Sequence, residues 1–183
     1  MSLVLQNTKN EIVGVFDEND VYIKGAPRKE VRASNLIHRA TNIFVINSEN
    51  KILVQTRSLS KEYCPGYLDA VVGGIVGDKE DVDKSAEREV GEEIGIEIAE
   101  LKDKLTFINK HLYTDEVCRA WEYNYIIHLT KEEEGKITFK DHEVSAIEWF
   151  TKDELIALIK ENKRKITGGS VKAFYVLLDK KLI

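Results

Sequence analysis

Apolar and polar positions alternate with a period of two along most of this chain and shift to a helical period in only a few stretches. Residues 11–24 (EIVGVFDENDVYIK) read as two short strands around an Asp-Glu-Asn-Asp turn. Pro27 then opens a short polar helical segment, PRKEVRAS, because proline is tolerated at an early helical position. Residues 40–47 (ATNIFVIN) and 51–57 (KILVQTR) are β-rich runs separated by Ser48-Glu49-Asn50, a hairpin signal. Residues 58–66 are polar and end in Cys64-Pro65-Gly66, which predicts a loop. Residues 68–75 (LDAVVGGI) read as a buried strand interrupted by two glycines. A helix follows over 83–94, with Asp83 or Ser85 as its N-cap and Gly95 at a left-handed C-terminal position.

Residues 105–113 and 121–129 read as further strands joined by a charged loop, and 131–135 as a solvated turn or extended loop. Residues 143–150 (EVSAIEWF) form another strand and lead into a helix opened by Thr151-Lys152-Asp153-Glu154, the pattern of a capping box. A last helix over 169–181 carries Val171, Phe174, Val176, Leu177 and Leu178 for docking. Intermixed strands and helices without repeats predict an α/β (α+β) fold, a mixed sheet with helices on both faces. The 183 residues are 43% hydrophobic and 32% charged, a composition that favours one domain over 1–183 with a sizeable core.

No apolar run reaches the roughly 18 residues that span a bilayer. The start MSLVLQNTKNE lacks the marks of a signal peptide, so a cytoplasmic location is expected. Cys64 and Cys118 lie far apart and form no metal-type pair, which favours reduced structural thiols. The net charge of −5 and a single short basic run, Lys163-Arg164-Lys165, argue against a nucleic-acid partner. An acidic protein that handles anionic substrates needs a cation between the two.

The stretch from Gly74 to Ile96, GIVGDKEDVDKSAEREVGEEIGI, holds eight acidic side chains and one arginine. At roughly 100° per residue, Glu89, Glu92 and Glu93 share an arc of about 100° on the predicted helix. Ala86, Val90 and Ile94 fall on the adjoining arc and suit burial. Like charges this close repel. An oxygen-seeking divalent cation relieves them, and a diphosphate substrate has the same need. Gly91 in the helix interior costs about 1 kcal/mol relative to Ala, and close approach of another segment would explain it.

The series Gly74, Glu80, Arg88, Glu89, Val90, Glu92, Glu93, Gly95, Ile96 resembles the Nudix box at every defined position, including both long spacers. The resemblance implies a loop–helix–loop on an α/β/α sandwich and hydrolysis of nucleoside diphosphates linked to another moiety, with Mg2+ or Mn2+. It implies Glu89, Glu92 and Glu93 as metal ligands together with the Gly73 carbonyl, Arg88 as the partner that orients Glu89, and Glu80 as an auxiliary metal or base residue. The segments LIHRATNIFVI, KILVQTRS, CPGYLDAVVGG and EVSAIEWFTKDEL resemble uncharacterised bacterial Nudix hydrolases related to type I isopentenyl-diphosphate isomerase. In that comparison residues 1–38 form an N-terminal hairpin and short helix extension, and 74–96 the box. The isomerases carry a reactive cysteine and a metal-binding histidine at the positions that match Gly73 and Ile75 here, so hydrolysis is expected over isomerisation. A noncatalytic nucleotide-binding module is a third reading, opposed by the intact box.

Other residues keep two readings each. Alternation places Glu122, Asn124 and Ile126 on one sheet face and Trp121, Tyr123 and Tyr125 on the other; Glu122 is then either an exposed face residue or a further ligand or base. His38 is a structural histidine or touches substrate phosphate or metal. Arg57 and Lys61 are surface charges or hold a distal phosphate. Trp121 could stack on a base, whereas Trp149 suits the core. His111, His128 and His142 show no companion that would make them ligands. The partner expected is a small diphosphate, and the N-terminal hairpin could cover an edge or contact a second subunit as a homodimer.

Overall fold

The computed structural model describes residues 11–96, 104–139 and 143–183. Strands β1 (Ile12–Phe16) and β2 (Tyr22–Pro27) form an antiparallel hairpin. Its turn is held by Asp17, whose Oδ1 accepts the N–H groups of Asn19 and Val21 at 2.8 and 2.9 Å. Pro27 ends β2 and caps helix α1 (Arg28–Ala33) instead of lying inside it. Without an N–H to donate, proline fits a strand end as well as a first turn.

The second sheet contains β3 (His38–Ile46), β4 (Ile52–Arg57), β5 (Leu68–Asp69), β6 (Thr106–Thr114), β7 (Arg119–His128) and β8 (Val144–Phe150). Its order is β5-β4-β3-β7-β6, with β8 also paired to β4. β3 and β7 run parallel along the whole of β3, and the other pairings are antiparallel. Helix α2 (Val82–Ile94) covers one face. Its Ala86, Val90 and Ile94 pack with Ile43, Val45, Leu53, Val72, Tyr125 and Ile127, all buried. Helices α4 (Lys152–Glu161) and α5 (Gly168–Asp179) cover the other through Leu155, Phe174 and Leu177 against Phe44, Ile46, Val54 and Ile126. The result is the expected mixed sheet between helical layers.

One departure positions everything that follows. β3 and β4 share a single residue pair, Ile46 with Ile52, and then separate. The predicted strand over 68–75 fills the gap by changing partner. Leu68 and Asp69 pair with β4, whereas Val72 and Gly74 bond to β3. The N–H of Ile43 donates to Val72 O at 2.8 Å, that of Thr41 to Gly74 O at 2.9 Å, and that of Val76 to Arg39 O at 3.0 Å. Gly73, at φ 147°, makes the bend between the two allegiances. Its Cβ, if present, would lie 2.0 Å from Thr41 O. Beyond the bend, Asp78 N bonds to Ile12 O, so the same run joins the N-terminal hairpin to the sheet.

Three smaller expectations are corrected. The N-cap of α2 is Asp81, which accepts Lys84 N at 3.1 Å, in place of Asp83 or Ser85. Residues 131–134 form a one-turn helix, α3 (Lys131–Glu134), because Thr130 and Glu133 make a capping box. Gly91 admits no close segment: an added Cβ would meet only Ile96 O, at 3.5 Å. Gly95 does take the left-handed C-cap, at φ 74°. His142 lies outside the described residues.

Candidate active site

The three carboxylates on the shared arc of α2 have unequal surroundings. Glu93 is fully buried, Glu89 is 7% exposed, and the Glu92 side chain is 52% exposed. Glu93 Oε2 accepts Gly73 N–H at 3.0 Å and Gln55 Nε2 at 3.1 Å, while Lys61 Nζ lies 3.4 Å from Oε1. Burial pushes the Glu93 pKa up, and the Lys61 ammonium opposes that rise. Burial works against the charge of Lys61 as well, but Glu93 and Glu143 hold its pKa above the usual lysine value.

Arg88 joins the remaining carboxylates into one unit. It donates through Nε to Glu80 at 3.0 Å and through Nη1 to Glu89 and Glu92, both at 2.8 Å. Burial raises Glu89 to a pKa of about 8 against the pull of Arg88, with Glu93 and Glu92 adding to the rise. Burial acts the same way on Glu80, but Arg88 and the Gly77 N–H at 2.8 Å outweigh it and hold Glu80 below its ordinary value. The Glu89 carboxylate presses against Gly74, where an added Cβ would lie 2.6 Å from Oε1. A side chain at 74 would push the Glu89 carboxylate out of this place.

On the far side of the Gly73–Gly74 run is a cavity of about 110 Å3. Its floor is one face of the parallel pair: His38, Ala40 and Asn42 from β3, with Ala120 and Glu122 from β7 and Cys118 just ahead of that strand. Arg28 and Arg32 from α1, Arg57 and Lys61 with the acidic Glu62 and Asp69, and Thr167 and Ser170 near the start of α5 contribute to the wall. Glu122, 7% exposed, is thus neither a solvent-facing residue nor part of the α2 layer. Its Oε2 lies 3.2 Å from His111 Nε2, too far off-line for a hydrogen bond, and neither atom has another partner. His111 Nδ1 meets Asn124 Nδ2 at 3.1 Å, and Asn42 Nδ2 donates to Asn124 Oδ1 at 3.2 Å. Where Asn124 donates to Nδ1, it is the Nε2 N–H of His111 that faces Glu122.

The sequence matches the NUDIX domain family model over residues 36–168. That span holds α2 with all of its acidic residues and Gly73–Gly74. The chain belongs to the Nudix family. A relative in Escherichia coli K12, the uncharacterised Nudix hydrolase YfcD, is 35% identical over 165 residues, which cover 89% of this chain and 84% of YfcD. Among solved structures, DR0079 from Deinococcus radiodurans shares the fold at a TM-score of 0.68 and 23% identity, covering 90% of this chain and 98% of that one. The NUDIX domain of Shewanella oneidensis NrtR, solved with ADP ribose, does so at 0.59 and 11%, covering 85% and 99%.

Against this Nudix frame the predicted residues separate into two groups. Glu80, Arg88, Glu89, Glu92, Glu93, Gly73 and Lys61 meet around α2 and the glycine run. His38, Arg57 and Glu122 line the cavity behind it, with Lys61 reaching both. Arg57 is no free surface charge: it bonds to Asp69 at 3.0 Å and to Tyr63 O at 3.1 Å. His38 is 2% exposed, with Nδ1 3.1 Å from Leu36 O, and burial lowers its pKa to about 4. Trp121 faces the N-terminal hairpin and donates its indole N–H to Asp17 O at 2.9 Å. Sequence reading missed Arg28, Arg32, Thr167, Ser170 and the His111–Glu122 pair. His111 does have a companion. The facing positions in β6 and β7 could have revealed it only with the register known.

Among the described residues no three His, Cys, Asp or Glu side chains converge on a ready-made metal cage. The donor chemistry nonetheless fits a hard cation, because Glu80, Glu89, Glu92 and Glu93 offer oxygen alone. Arg88 and Lys61 supply the positive charge these carboxylates need in this structure.

Proposed function

We propose that this chain is a divalent-cation-dependent pyrophosphohydrolase acting on a nucleoside diphosphate derivative or a similar small diphosphate. One observation carries the reading: the buried carboxylates Glu89 and Glu93 press against one side of Gly73–Gly74, and a basic cavity opens on the other. Glu89, Glu92, Glu93 and the Gly73 carbonyl would hold Mg2+ or Mn2+, with Glu80 in support. When bound, such an ion neutralises phosphate oxygens and lowers the pKa of a coordinated water.

The chain's own residues supply the rest. Arg88 fixes Glu89 and Glu92 from one guanidinium, so their geometry is set before substrate arrives. Gly73 N–H and Gln55 fix Glu93 in the same way. Lys61 and Arg57, held by Glu93, Glu143 and Asp69 in this structure, would offer their N–H groups to a diphosphate that reaches the cavity wall. Glu122, with Oε2 unbonded and beside His111, would take a proton from water in the cavity. The substrate class also agrees with NrtR, whose NUDIX domain was solved with ADP ribose, a nucleoside diphosphate derivative.

Isomerase chemistry finds no support at the matching positions. A thiol at 73 would need a Cβ that collides with Thr41 O, and position 75 is isoleucine. Cys64 is free, and burial raises its pKa, which leaves it a poor nucleophile. The test is incubation of purified protein with Mg2+ and a panel of nucleotide sugars, dinucleoside polyphosphates, nucleoside triphosphates and isoprenoid diphosphates. Cleavage of at least one nucleotide into two phosphorylated products, or into a nucleoside monophosphate and pyrophosphate, abolished by EDTA, is expected. No turnover of any candidate by folded, Mg2+-binding protein would overturn the reading, and conversion of isopentenyl to dimethylallyl diphosphate would replace it.

A further inference from the structure

Four basic side chains line the cavity, and three of them have carboxylate partners. Arg28 meets Glu11 at 2.8 Å and Glu62 at 3.7 Å, Arg57 meets Asp69, and Lys61 meets Glu93 and Glu143. Arg32 has no carboxylate within salt-bridge distance among the described residues, and its Nε and Nη1 are buried with no hydrogen-bond acceptor. Glu62 and Glu122 line the same cavity, but neither reaches Arg32 as an ion pair, and the side chains it contacts are uncharged. The Tyr63 ring lies 5.6 Å from its guanidinium carbon, and Cys118 is a thiol that burial pushes up to about 11. His38 is neutral, lowered by burial and by Arg32 itself. A guanidinium cannot shed its proton to relieve such a position. Buried N–H groups without acceptors are rare in native proteins unless something absent completes them.

We propose that Arg32 is an anion anchor: the inner cavity receives a second negatively charged group of the substrate, a phosphate or a carboxylate, beyond the diphosphate handled at α2. The planar fork of arginine matches both oxyanions through paired N–H donors. The location suits a substrate's remote end. His38, which lines the same cavity as Arg32, is three residues along β3 from Thr41, whose N–H holds Gly74. At about 3.3 Å per residue the two points are roughly 10 Å apart. Arg32 also precedes the span 36–168 that matches the family model, so this contact is supplied by the N-terminal extension and not by the shared domain. The assignment rests on the hydrolase reading only for the identity of the ligand's other end.

The test is calorimetric titration of the full chain, without divalent cations, with inorganic phosphate in one arm and malonate in the other. Wild type, Arg32→Gln, Arg32→Lys and Glu92→Gln are compared, with circular dichroism to check folding. One of the two anions is expected to bind wild type and Glu92→Gln alike. Arg32→Gln should weaken it by about 10–100-fold, the scale of charge-assisted hydrogen bonds. Arg32→Lys keeps the charge without the fork and should fall between; it carries the test if the Gln variant does not fold. The arm that binds identifies the group. No binding of either anion to wild type, equal binding by wild type and the Arg32 variants, or loss in Glu92→Gln would each overturn the proposal. None of these readings needs turnover, so an absence of hydrolysis would sink the functional reading and leave this one standing. With a turned-over substrate in hand, Arg32→Gln should raise KM while kcat stays within about threefold, the mark of lost binding that is equal in ground and transition states.

Discussion

The two sides of the Gly73–Gly74 run treat charge in opposite ways. On the α2 side, Glu80, Glu89, Glu92 and Glu93 are each matched by Arg88 or Lys61. On the cavity side, Arg32 is left with buried donors and, among the described residues, no carboxylate within salt-bridge distance. The first arrangement is complete as it stands, so a cation or a substrate must compete with internal partners to enter it. The second is incomplete and gains a partner only from a ligand. A removed partner is therefore expected to hurt the first side and spare the second.

The largest effect expected is on catalysis. Glu93→Gln keeps the shape and an acceptor for Gly73 N–H but removes the charge, and should lower kcat by about 10^2–10^3-fold with an unchanged circular dichroism spectrum. Full activity in that variant would remove Glu93 from the ligand set.

Next in size is a pH effect confined to the cavity. The folded protein holds His38 neutral down to about pH 4, whereas the unfolded chain takes up that proton near its ordinary 6.5. Between these values the unfolded state binds more protons, so stability falls as the pH falls. The loss is roughly 3 kcal/mol across the window. Urea unfolding of wild type and His38→Gln at pH 7 and pH 4.5 measures it, and the variant should show a shallower slope.

Arg88→Ala and Arg32→Ala then probe the contrast itself. The first strands buried Glu89 beside Glu80 and Glu92 and should cost about 2 kcal/mol in urea unfolding, allowing for the one-third exposure of the Arg88 side chain. The second removes an unpaired charge and should cost less than about 1 kcal/mol, or stabilise. Equal losses would erase the distinction. The smallest effect lies away from both sides: Gly91→Ala should stabilise by about 0.5–1 kcal/mol without changing kcat, since the helix has room for the methyl group.

What could be read from sequence followed distance along the chain. The box was legible because its residues fall within one loop and one helix, where spacing alone sets the geometry. Local capping was legible unevenly. Thr151-Lys152-Asp153-Glu154 announces its capping box, while Thr130-Lys131-Glu132-Glu133 has the same pattern within a stretch, 131–135, that reads as a turn or extended loop because its charges hide a one-turn helix. Alternation assigned Glu122 to the correct face but could not show it buried. Its pairing with His111 depends on a register shift in β6 between Phe107 and Asn109, which no local pattern announces. The cavity was least legible of all, because α1, β3, β7 and the start of α5 meet there from four distant segments.

The hydrogen bond from Asp78 to Ile12, with the Val13–Gly77 bridge beside it, bears on how far this protein can be cut down. A version trimmed to begin at residue 36 would retain every residue of the box. It would also strip the outer edge from the loop that leads into α2 and bare Ile75, which packs with Val13, Val15, Ala26 and Val31. The hairpin is therefore no detachable tail. In a chimera it would have to travel with the box, because the two are stitched into one structural unit despite lying some fifty residues apart in the chain.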